Sequence, residues 1–238
     1  MNSAAKLPIL LVLHRAQSTA GRVGRALTRL GYGLDIRRPP LGEKLPASLE
    51  RHGGAIVFGG PMSANDPEPW IREEIDWIGT PLTQQKPFLG ICLGAQMLAL
   101  HLGAKVAARS DGKVEIGYGS ILAARAGRAM GPWPGRVYQW HREGFQRSTG
   151  MTLLASSPDF ENQAIAYGTS AYGLQFHPEV SLQMAQRWSA AAQHKLQQPG
   201  AQNRLTQLRL GRLHDRECAV WLYCFLERWL RSDALVTR

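Results

Sequence analysis

The sequence predicts an α/β fold: an open, mostly parallel sheet flanked by helices, with a small antiparallel β extension and a C-terminal helical extension. Three observations predict it. Continuous apolar runs, Leu7-Pro8-Ile9-Leu10-Leu11-Val12-Leu13 first among them, have the texture of strands buried on both faces. Helical patterns alternate with such runs as far as Gly103. Beyond Gly103 the runs become short and are separated by turn residues. With 238 residues, 44% of them hydrophobic, the chain can bury the core of one large domain, or of one domain plus an extension.

After the strand at Leu7 to Leu13, a helix is expected over Arg22 to Leu30, where Val23, Ala26, Leu27 and Leu30 share a face and Gly31 follows. Gly33 to Arg37 reads as a second strand, closed by Pro39-Pro40, and Gly54-Ala55-Ile56-Val57-Phe58 as a third. Trp70 to Ile78 is an amphipathic helix, and Pro87 opens a buried strand over Phe88 to Ile91. Gln96 to Leu102 are good helix formers closed by Gly103. Four short strands follow, Val114 to Tyr118, Val137 to Trp140, Thr152 to Ala155 and Ala164 to Tyr167, expected as an antiparallel extension folded against the main sheet. Ala171 begins a strand that runs into His177, and a helix from about Ser181 to Gln197 puts Met184, Trp188 and Ala191 on one face. Gln198-Pro199-Gly200 breaks it. Cys218, Trp221, Leu222, Phe225, Leu226, Trp229 and Leu230 then recur at helical spacing, a stripe that either packs on its own domain or forms an interface.

Composition excludes several classes. Cysteines at 92, 218 and 224 make no disulfide framework and no Cys-x-x-Cys pair, which points to a reducing cytoplasm and no structural zinc. The first apolar run is too short for a membrane span and lacks a signal-peptide cleavage pattern. The net charge of +10 is spread from Arg15 to Arg238, a solvated surface more suited to acidic ligands than to nucleic acid. Neither Gly-x-Gly-x-x-Gly nor a phosphate loop occurs, so no tightly bound nucleotide is expected.

Three motifs carry chemistry. In Gly90-Ile91-Cys92-Leu93-Gly94 a cysteine falls between strand and helix, flanked by small residues that permit a strained turn exposing a nucleophile. The helix N-terminus behind it favours a thiolate. Packing in the core is the other reading of such a cysteine. Gly59-Gly60 follows a buried strand and could present backbone N–H groups to an oxyanion, or be a plain strand-end turn. In His177-Pro178-Glu179 an extended backbone would direct both polar side chains to one side, with Pro178 holding that form. A carboxylate there can orient an imidazole and stabilise its protonated state; a surface turn is the alternative.

Gly90-Ile91-Cys92-Leu93-Gly94-Ala95-Gln96, Gln175-Phe176-His177-Pro178-Glu179 and Gly59-Gly60-Pro61-Met62-Ser63 together resemble the signatures of the class I, triad-type glutamine amidotransferases, over residues 8 to 195. Asp66-Pro67-Glu68-Pro69-Trp70, Glu115-Ile116-Gly117 and Trp140-His141-Arg142-Glu143 place the likeness nearest the amidotransferase domain of GMP synthetase and its free-standing relatives. The resemblance implies a flavodoxin-like or Rossmann-like domain over residues 1–197, followed by a helical extension over 198–238. It implies Cys92 as nucleophile, His177 as base and then acid, and Glu179 as orienter. Gly60 and Leu93 would supply the oxyanion-hole N–H groups, with Gly59, Gln96 and His141 on the substrate side. The implied reaction is hydrolysis of the side-chain amide of L-glutamine through a cysteinyl thioester, in the cytoplasm, with no metal or organic cofactor. No ATP-using synthetase domain fits after the last motif, so ammonia would pass to a separate synthetase subunit or another acceptor. The C-terminal helix would serve packing or a homo-oligomer. Two further readings stay open: a γ-glutamyl peptide hydrolase with the same triad, and an inactive regulatory or binding subunit.

Overall fold

The computed structural model describes residues 6–231. The chain runs β1 (Ile9–Val12), α1 (Gly21–Arg29), β2 (Leu34–Arg37), β3 (Gly54–Val57), α2 (Pro69–Trp77), α3 (Gly79–Thr83), β4 (Phe88–Ile91), α4 (Leu93–His101), β5 (Val106–Ala108) and β6 (Glu115–Ser120). It continues through β7 (Leu122–Ala123), α5 (Arg125–Ala129), β8 (Arg136–His141), β9 (Glu143–Phe145), β10 (Met151–Ser156), β11 (Ala164–Tyr167), β12 (Ala171–Leu174), α6 (Leu182–Ala191) and α7 (Arg204–Trp229).

Eight strands form one sheet in the order β2-β1-β3-β4-β12-β11-β10-β7. The first five are parallel and the last three antiparallel. Alternation along the central strands sorts their side chains into two cores. Ile9, Leu11, Ile56, Leu89 and Ile91 face a layer containing α1 and α7, through Val23 and Leu27 of the one and Leu222, Phe225 and Trp229 of the other. Leu10, Val12, Ala55, Val57 and Phe88 face α2 and α4, through Ile71, Ile75, Met97 and Leu98. Strands covered on both faces must be apolar at every position, which is why they read as unbroken hydrophobic runs.

Three expectations need correction. β10 and β11 do not form an extension packed against the sheet; they continue it beyond β12, because that strand's free edge carries unpaired backbone groups that β11 satisfies by direct antiparallel pairing. Only β6 with β8 and β5 with β9 stand apart as two-stranded ribbons. The helix after Ser181 stops at Ala191 and gives way to a 3₁₀ turn over Gln193–Gln197. The strand expected to reach His177 ends at Leu174, and the chain turns tightly at Pro178, where the Val180 N–H donates to the His177 carbonyl at 3.3 Å.

The C-terminal stripe is part of the core: Cys218, Leu222, Phe225, Leu226 and Trp229 are buried against the sheet. Asn203 caps α7 by accepting from the Thr206 N–H at 2.9 Å. No helix among the described residues is long and apolar enough to cross a membrane.

Candidate active site

Strand order assembles the site. β3 and β12 flank β4 in parallel, with Val57 opposite Gly90 and Leu174 opposite Ile91. The residues just past those pairs, Gly59 and Gly60, Cys92, and His177, therefore emerge side by side at the carboxyl edge, where open α/β sheets place ligands. Cys92 has φ +51° and ψ −102°, a backbone that L-residues rarely adopt, and its N–H donates to the Leu174 carbonyl at 2.7 Å. The glycines around it are required by contact. A Cβ on Gly90 would lie 2.4 Å from the Gly94 oxygen, and one on Gly94 only 2.2 Å from the Val57 oxygen. α4 then starts at Leu93, three residues earlier than its helix formers suggest, so Cys92 occupies the N-cap position.

His177 Nδ1 is 2.7 Å from Glu179 Oε1, and both side chains are buried. The tight turn, not an extended backbone, brings them together. It is anchored from below by α1: the Arg22 N–H donates to the Glu179 carbonyl at 3.0 Å, and any Cβ on Gly21 (φ +52°) would strike that oxygen. With Nδ1 engaged, Nε2 is left inside the site without a hydrogen bond. Burial disfavours a charged imidazole, yet the Glu179 carboxylate and the neighbouring Cys92 sulfur outweigh it and hold the His177 pKa well above the usual histidine value. Trp188 meets the ring edge-on, with centroids 5.2 Å apart. The imidazole fits only because residue 59 is glycine: a Cβ there would be 2.7 Å from His177 Cε1.

Among the described residues the N–H groups of Gly60 and Leu93 make no hydrogen bond, the latter as one of the orphan donors of a helix's first turn. Gln96 is buried, and its side-chain amide donates to the Glu143 carbonyl at 2.8 Å and to Gln175 Oε1 at 3.3 Å. His141 Nδ1 is 3.0 Å from the Glu143 carbonyl; its Nε2 lies 3.0 Å from Glu115 Oε2, within ion-pair distance though off the line of a hydrogen bond. Gly59, Gly60, Cys92, Leu93, Gln96, His141, His177 and Glu179 all line one cavity of about 560 Å³.

Several residues at this site were given no role of their own by the sequence. Gln175 reaches Cys92, its amide 3.8 Å from the sulfur, although it stands in the same motif as His177. Glu115 is fixed by Ser157 Oγ and Gln163 Nε2, each at 2.6 Å, and so braces His141 from behind. Met184, Trp188 and Ala191, the expected helix face, line the cavity wall, and Arg15, Arg142, Arg187 and Lys195 add positive charge to it. His14, directly after the β1 run, lies under Gly59 and bonds Glu74. A histidine at the carboxyl end of a buried strand was the available signal.

A cysteine-bearing strand-to-helix turn beside a buried His–carboxylate pair, on a doubly covered parallel sheet, defines a class, and known proteins of similar sequence and structure agree with it. The family described as "Glutamine amidotransferase class-I" matches residues 15–190, and the chain belongs to that family. It is similar to the glutamine amidotransferase-like protein YfeJ of Salmonella typhimurium, 29% identical over 78% of this chain and 81% of that one. It is 31% identical to one subunit of the glutamine-hydrolyzing GMP synthase of Thermoplasma acidophilum, over 56% of this chain and 66% of that one. Of the GMP synthase of Aeropyrum pernix, 30% identical, it spans 33%. Among solved structures, a glutamine amidotransferase from Thermotoga maritima superposes with a TM-score of 0.84 at 31% identity, over 94% of this chain and 98% of that one. One from Methylobacillus flagellatus gives 0.89 at 26%, covering 95% of each chain.

Proposed function

We propose that the protein hydrolyses the side-chain amide of L-glutamine with Cys92, His177 and Glu179 as a catalytic triad. The observation that carries this reading is the strained Cys92 turn opening into the same cavity as the free Nε2 of His177, whose other nitrogen is bonded to Glu179. The Cys92 thiolate attacks the amide carbon of glutamine, and the carbonyl electron pair moves onto oxygen. The Gly60 and Leu93 N–H groups receive that oxyanion, each contribution worth ~3 kcal/mol by analogy with a serine protease. His177, protonated at Nε2, gives its proton to the leaving nitrogen as the C–N bond breaks, releasing ammonia and a γ-glutamyl thioester. The imidazole then takes a proton from water, hydroxide attacks the thioester, and collapse frees glutamate and the thiolate. Glu179 holds Nδ1–H throughout and so keeps Nε2 facing the sulfur. Gly59 leaves room for the imidazole, and Gln96 and His141 shape the loop at Glu143 that contacts the amino-acid end of glutamine.

In Thermoplasma acidophilum the similar chain is one subunit of a GMP synthase, which supports transfer of the ammonia to a distinct synthetase partner in the cytoplasm, with α7 available as a contact surface. A second reading has its own observation: a cavity of about 560 Å³ rimmed by Arg15, Arg142, Arg187 and Lys195 is several times larger than one amino acid fills and suits γ-glutamyl peptides ending in a carboxylate. One experiment separates the two. Purified protein is given L-glutamine and γ-glutamyl peptides, and ammonia and glutamate are followed. Ammonia from glutamine that vanishes in Cys92→Ala supports the amidase; cleavage confined to the peptides replaces it with the peptidase.

A further inference from the structure

Beneath the oxyanion turn lies another buried histidine–carboxylate pair. Val12 of β1 and Val57 of β3 are partners, so the positions two residues beyond them, His14 and Gly59, are also neighbours. His14 Nδ1 is 3.2 Å from the Gly59 carbonyl, and its Nε2 is 2.9 Å from Glu74 Oε1, contributed by α2. Neither side chain of the pair reaches solvent. The Gly59 carbonyl can only accept, so Nδ1 carries a proton and donates to it, while Nε2 faces the Glu74 carboxyl group. Burial alone would lower the His14 pKa, but Glu74 overrides it and the pKa is raised.

The geometry points to His14, held by Glu74, as a positioning residue that aims the Gly60 N–H into the cavity. This inference rests on the triad reading, in which that N–H receives the oxyanion. The Gly59–Gly60 peptide is trans, so its C=O and N–H point in opposite directions. Tying the carbonyl down to His14 therefore turns the N–H up toward the site, where it has no other partner. The turn is also wedged: a Cβ on Gly60 would come within 2.9 Å of Leu93 Cδ2 on one side and 3.1 Å of His14 Cβ on the other. Rotating the peptide would strand a buried ring N–H without an acceptor.

Two substitutions separate aiming from mere packing, because the asparagine amide nitrogen falls where Nδ1 sits and the glutamine one where Nε2 sits. His14→Gln keeps the bond to Glu74 and loses the one to Gly59; His14→Asn with Glu74→Gln does the reverse. The readouts are kcat and KM for L-glutamine, the rate of Cys92 alkylation by iodoacetamide, which needs no oxyanion donor, and Tm. His14→Gln is expected to lower kcat about tenfold to hundredfold with KM and alkylation unchanged, and the Asn/Gln pair to restore kcat to within about threefold. Should His14→Gln not fold, His14→Leu with Glu74→Leu removes both buried polar groups together and is expected to show the same loss confined to kcat. Activity that follows Tm across the variants, or a kcat untouched in His14→Gln, overturns the inference while leaving the triad standing. A wild-type protein that alkylates at Cys92 yet releases no ammonia from glutamine overturns both.

Discussion

At the scale of single residues, the site depends on atoms that are absent as much as on those present. Gly59 has no side chain where the His177 ring lies, and a methyl group there would overlap Cε1 at 2.7 Å. Gly59→Ala should therefore move the imidazole off Cys92 and lower kcat by up to about 10²-fold, with far less effect on melting temperature. Steady-state kinetics beside a thermal melt would show this, and retained activity would mean the ring has room the structure does not give it. Glu179 acts differently, through the bond to Nδ1. A glutamine side chain can still accept from Nδ1–H but no longer balances the imidazolium charge, so Glu179→Gln should cost up to about 10⁴-fold in kcat, still less than the roughly 10⁶-fold expected for His177→Ala. Equal losses in the two variants, at unchanged stability, would argue against an orienting role. Cys92, His177 and Glu179 could be singled out in sequence because each sits in a short local motif, and the structure brings all three to one cavity. The bonds from Ser157 and Gln163 to Glu115 could not, since these residues meet only after distant strands pair.

At the scale of elements, each helix has a separate task in holding the carboxyl edge of the sheet. α4 is buried over most of its surface and presents Cys92 from its N-cap; α1 clamps the His-Pro-Glu turn through Arg22 N–H. α7 lies farther from the cavity yet closes the core on that same face. Leu222 on it is 1% exposed, whereas Leu213 on the same helix is 68% exposed. Leu222→Ala should cost about 2–5 kcal/mol of stability and Leu213→Ala under about 0.5 kcal/mol, measured by urea unfolding. Iodoacetamide should alkylate Cys92 at the wild-type rate in both, because neither residue touches the site. The apolar period revealed α7 as a helix with one wide face, and the structure shows what that face covers. The fate of β10 and β11 was not readable in the same way. Short strands with turns between them look alike whether they extend a sheet or lie across it, and the difference rests on the free edge of β12.

At the scale of the whole molecule, strand order is the property that local sequence pattern withholds, and the site is made of it. Placing β1 beside β3 puts His14 under Gly59, and placing β12 beside β4 puts His177 beside Cys92. Two histidines are thereby buried against carboxylates at one edge of one sheet, and this gives folding a pH dependence with a definite sign. In both, desolvation is outweighed by the partner carboxylate, Glu74 for His14 and Glu179, with Cys92, for His177, so both folded pKa values are raised from the ordinary 6.5. A raised pKa means the native state binds the proton more tightly than the unfolded chain does. The resulting stabilisation is complete below the unfolded value and is lost progressively as pH rises from 6.5 through the folded values. Urea midpoints should therefore fall steadily between about pH 6.5 and pH 8, a window that ends below ordinary thiol and tyrosine titration. The double variant His14→Leu, Glu74→Leu should flatten part of that slope, and His177→Ala another part, since each histidine is bonded to its own carboxylate. A midpoint that rises across the window in the wild type would show that the native state holds these rings neutral, and would remove the charged imidazole from both the proposed triad and the proposed oxyanion turn.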